Sequence, residues 1–61
     1  MNEKQVKELE KIIFQSYLLN PDFDSIQICK DFCFENNIEY NHIIFDNIRF
    51  NAVLVYVAVR I

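Results

Sequence analysis

Cys29, Cys33 and His42 are the residues of this 61-residue chain whose types best suit metal chemistry. Cysteines four apart on a helix share a face, and an imidazole can complete a ligand set with two thiolates. A structural zinc site, however, uses four ligands at tighter, loop-based spacings, and only three candidates exist here. Both thiols also fall in an apolar arc, and helical geometry at this spacing does not normally allow a strain-free disulfide. The expectation is therefore two reduced core cysteines, with no metal and no cofactor. His42 can act as a general base or a pH switch, but the register derived below sets it opposite Asn51 as a polar cross-strand pair. Asp22 and Asp24 flank a helix start, where the helix dipole stabilises carboxylates without any catalytic role. Ser16 and Ser25 lack a nucleophile-elbow context. The chain has no glycine, so neither a P-loop nor a dinucleotide fingerprint can form. The reading is a protein without catalytic residues, not an enzyme.

Composition narrows the class further. A chain of 61 residues makes a single domain, residues 1–61, with a marginal core. Small domains gain stability from metals, disulfides or oligomerisation, and a hydrophobic content of 52% points to the last of these. The net charge is −3, and it resides in residues 1–37, where four lysines meet seven acids; residues 38–61 are neutral. A mildly acidic chain has no long-range field favouring a phosphate backbone, so nucleic acid is not an expected partner. The polar Met1–Lys4 start lacks a secretory pattern. The apolar run near the C-terminus is too short for a membrane span, so a cytoplasmic, membrane-free protein is expected.

Two helices and two strands must position these residues, and the apolar run Ala52–Val59 dominates them. Rich in β-branched side chains and without an alternating polar residue, it reads as a strand buried on both faces. Upstream, Val6, Leu9, Ile13 and Tyr17, with Ile12 alongside, form one helical stripe over Glu3–Leu19. Pro21 ends that helix. Asp24 and Gln27 make a capping box for a second helix from Ser25 to Glu35 or Asn36, with Phe23 and Ile28 as its hydrophobic staple. That helix spreads Ile26, Ile28, Cys29, Phe32 and Cys33 over a broad apolar arc, and Asn36-Asn37 stops it. Ile38–Phe45 reads as extended, Asp46-Asn47 as a tight turn and Ile48–Ile61 as the return strand. The expected fold is thus α+β, with two N-terminal helices packed on a C-terminal antiparallel β-hairpin. A less favoured alternative has Asn41 capping a short third helix, His42 to Phe50, and leaves a single strand.

In the hairpin register Ile38 opposes Val55, so Tyr56–Ile61 has no intrachain partner on one side. Pairing with a second copy about an axis near Val57 or Ala58 would extend the sheet, making Val55, Tyr56, Val57, Ala58 and Val59 the expected homodimer interface. Phe14, Leu18 and Phe34 lie off the buried stripes and are the candidate contacts for another protein. The chain is accordingly read as a small acidic homodimeric regulator or inhibitor that binds another protein, in composition like a phage- or plasmid-type accessory product. The alternative is a dimeric nucleic-acid-binding regulator that gathers Lys30, Arg49 and Arg60 on one face.

Overall fold

The structure, a computed structural model, describes residues 1–60, apart from the side chain of Arg60. It contains three helices in succession, α1 (Glu3–Leu19), α2 (Ser25–Glu35) and α3 (His42–Arg60), and no strand among the described residues. The first two helices begin and end where the sequence places them. Asn2 caps α1: its Oδ1 accepts from the Gln5 amide at 2.8 Å, while the Asn2 amide donates to Gln5 Oε1 at 3.1 Å. This completes a reciprocal capping box. Asn20 is extended (φ −156°, ψ 100°), as a residue before proline prefers, and α1 stops there. Asp24 Oδ1 accepts from the Gln27 amide at 3.1 Å and starts α2. The Gln27 side chain donates to Asp31 instead of reaching back, so that box is half made.

The end of α2 shows how a chain without glycine stops a helix. Asn37 adopts φ 55°, in the left-handed region that asparagine tolerates better than most residues. The turn this permits lets the Ile38 amide donate to the Cys33 carbonyl at 2.8 Å and the Asn37 amide to Phe34 at 3.5 Å. That pair of bonds is a Schellman closure.

The β-hairpin is not formed, and the α+β expectation is corrected to an all-helical fold. Where a strand was expected to approach its turn, Asn41 caps α3. Its Oδ1 accepts from the amides of Ile43 (3.0 Å) and Ile44 (3.4 Å), and its carbonyl accepts from Phe45 at 3.1 Å. The less favoured alternative thus has the correct start, but the helix runs on past Phe50 to Arg60. Asp46 and Asn47 sit in its second turn rather than in a hairpin turn, and His42 opens the helix rather than facing Asn51. Ile61, the expected end of the return strand, lies outside the described residues.

Burial decides in favour of the helix. Phe45, Ile48 and Ala52 are buried at helical spacing, beside Leu9 and Ile13 of α1 and Cys29, Phe32 and Cys33 of α2. Valine costs a helix at most about 0.7 kcal/mol relative to alanine, whereas fully burying a large apolar side chain gains roughly 1.5–3 kcal/mol. The valines of α3 therefore do not prevent a helix that delivers Phe45 and Ile48 to the core.

α1 is central and packs more extensively on α3 than on α2. Tyr17 meets Tyr56 at 5.2 Å between ring centroids and Phe23 edge-on at 4.6 Å, closing one end of the core. Tyr40 stacks on Phe45 at 5.3 Å at the α2–α3 connection, with Lys30 over its ring. Arg49 fastens α3 to α2: its Nε donates to Ser25 Oγ at 2.8 Å, and its Nη1 pairs with Asp46 at 2.7 Å.

Candidate functional site

The residues singled out for chemistry are placed in the core or at helix ends. Cys29 and Cys33 are free and buried. Loss of hydration pushes the Cys29 thiol up to about 11, the nearby Arg49 only partly opposing this, and burial raises Cys33 as well. Both are therefore protonated at neutral pH, which suits packing and does not suit nucleophilic attack. His42 is exposed. Among the described residues no group of three or more His, Cys, Asp and Glu is arranged to hold a metal. Ser16 donates to the Ile12 carbonyl at 2.9 Å, and Ser25 is the anchor of Arg49.

The expected partner contacts lie on two helices, Phe14 and Leu18 on α1 and Phe34 on α2. Phe14 is half-buried and lines an open groove of about 280 Å³ between α1 and α3, with Lys7, Glu10, Lys11, Ala52 and Val55. Leu18 is half-exposed, and Phe34 projects from the side of α2 away from the core, 87% exposed. Of the residues expected at a dimer interface, Val55 turns into the groove and Tyr56 toward Tyr17. Val57, Ala58 and Val59 are exposed. An edge-strand pairing through Val55–Val59 is ruled out by the fold, because a helix spends its backbone donors and acceptors within itself.

Most of the large apolar side chains left exposed lie on α3, and the face they form was not legible while the segment read as a strand. Opposite the core-facing Phe45, Ile48 and Ala52, the helix presents Ile43, Phe50, Leu54 and Val57, each 45–65% exposed. With Asn47 these fall at positions 43, 47, 50, 54 and 57, the alternating steps of four and three that define a coiled-coil seam. The signal was present in the sequence, but it emerges only once α3 is given a period near 3.5 rather than two. No family model, curated protein or solved structure matches this chain.

A helix apolar on both sides belongs in the core of a larger assembly or in a membrane. His42–Val59 is long enough and apolar enough for a membrane span. The same stretch carries Asp46 and Arg49, and its other side is occupied by α1 and α2. Of the cations expected for a nucleic-acid reader, Arg49 is engaged by Asp46 and Ser25 and Lys30 lies over Tyr40, while the Arg60 side chain is outside the described residues.

Proposed function

We propose that this protein is a small noncatalytic interaction module that works as a homodimer in the cytoplasm and regulates or inhibits another protein. The observation that carries the reading is α3, whose apolar character continues around the helix although only one side is covered within the chain. Exposed apolar surface of this extent marks a site of association. Phe34 supplies a second, separate contact on α2, where an 87% exposed phenyl ring has no packing role inside the monomer. Aromatic anchors of this type dominate the energetics of protein interfaces.

The test uses the tagged 61-residue chain in its native host, followed by mass spectrometry. The unmodified protein is expected to recover a defined protein partner, and Phe34→Glu to lose it while keeping an unchanged helical circular-dichroism spectrum. Equal recovery by both chains, or recovery of no protein by either, would sink the partner-binding half of the reading.

A further inference from the structure

We propose that the outward face of α3 is the homodimer seam, covered by the same face of a second copy lying parallel to it, with Asn47 against Asn47. The inference rests on the homodimeric half of the reading above and not on the heterologous partner.

Three features select a second copy. The first is periodicity. Ile43, Asn47, Phe50, Leu54 and Val57 repeat with the steps that let side chains of one helix enter holes on another of the same period. A helix of identical sequence supplies that match at every layer. The second is charge. In the parallel register Asp46 flanks Asn51 of the other copy and Val53 flanks Ala58, so no like charges meet. The acidic excess is carried by residues 1–37, on the α1 and α2 side, and stays on the outside of such a dimer. The third is area. Taking roughly 100 Å² of exposed surface per side chain, the five seam residues bring about 500 Å² per copy, for about 1,000 Å² in total, which reaches the threshold for a specific interface.

Asn47 sets the orientation. A parallel pair stacks Asn47 on Asn47, where each amide can donate to the other's carbonyl oxygen. An antiparallel pair using the same seam sets it against an apolar residue such as Val57 and leaves the amide desolvated without a partner. A single buried asparagine at such a position is a known device for specifying two strands in register. Lipid is the poorer cover for the same face, since Asn47 and Asn51 would enter hydrocarbon unsatisfied and the Asp46–Arg49 pair would follow them.

The decisive experiment combines sedimentation equilibrium of the purified chain at micromolar concentration with disulfide trapping of Asn47→Cys. Unmodified protein is expected to sediment as a dimer. Leu54→Asp should retain its helical spectrum while self-association weakens at least ~100-fold, the cost of placing a charge in an apolar seam. Asn47→Cys should give a covalent dimer under mild oxidation, with no cross-link in unmodified protein because Cys29 and Cys33 are buried. A monomer in sedimentation would overturn the seam, as would a dimer insensitive to Leu54→Asp or a failure of the Asn47→Cys variant to cross-link. Partition of a monomer into phosphatidylcholine vesicles would overturn it as well, making lipid the occupant. A monomer that still captures a protein through Phe34 would reject the seam and leave partner binding intact. A seam-dependent dimer whose recovery of other proteins is indifferent to Phe34→Glu would do the reverse.

Discussion

At the scale of single residues, the two cysteines show how burial alone changes chemistry. Cys29 has no exposed surface, and its thiol titrates near 11 instead of at its ordinary value of 9 because the thiolate would be stranded away from water. An acid whose folded pKa lies above its unfolded pKa stays protonated in both states below the lower value. Between the two, the unfolded chain loses its proton first and is favoured. Stability is therefore unaffected by this group below about pH 9 and falls as pH rises through 9 to 11, by an amount on the order of 2–3 kcal/mol. Thermal melts across about pH 8–11 should show that decline in the unmodified protein and a shallower one in Cys29→Ala; parallel curves would show that Cys29 is not the cause. The core assignment of Cys29 and Cys33 was legible because their spacing matched the apolar arc of α2. The pairing of His42 with Asn51 was not, since it depended on a strand register that does not exist.

At the scale of elements, caps were more informative than propensities. The Asp24 cap, the Pro21 stop and the Asn36-Asn37 end were all readable because each acts through its own neighbours in sequence. The identity of residues 42–60 was not readable in this way. Their β-branched content argued for a strand, while one side chain, Asn41, argued for a helix start. In the structure Asn41 does cap α3, and Asn41→Ala should cost about 1 kcal/mol with some loss of helical signal at low denaturant. Asn41→Ser, which can cap, should recover most of it. An Asn41→Ala protein with an unchanged urea midpoint would show that α3 starts by packing alone. The same logic applies to Asn37: glycine at this positive φ should be neutral or slightly stabilising, whereas a β-branched residue should destabilise.

At the scale of the whole molecule, stability depends on a few side chains. A domain of this length has about 3–9 kcal/mol to lose, and truncating a buried phenylalanine typically costs about 3–5 kcal/mol. Phe45 is 1% exposed and joins the core to the stacked ring of Tyr40. Phe45→Ala should leave the chain largely unfolded at about 37 °C. Phe50→Ala, on the opposite side of the same helix and 62% exposed, should change the melting temperature little in dilute monomer while weakening self-association. Equal melting temperatures for these two variants would contradict the assignment of core and outward faces of α3.

What depends on nearest neighbours was legible in the residues alone: the extents of α1 and α2, the turn at Pro21, the buried stripe of Leu9 and Ile13, and the core placement of both cysteines. The sequence also singled out Phe34 as a side chain without a role in the core. The conformation of α3, and with it the set of apolar residues that face inward, was settled by packing between helices. The reason is that Ala52–Val59 carries no charged or amide side chain on any side, so that strand and helix each give it a buried face. The choice follows from docking Phe45, Ile48 and Ala52 onto Leu9, Ile13 and Cys29, a long-range match that no local pattern encodes.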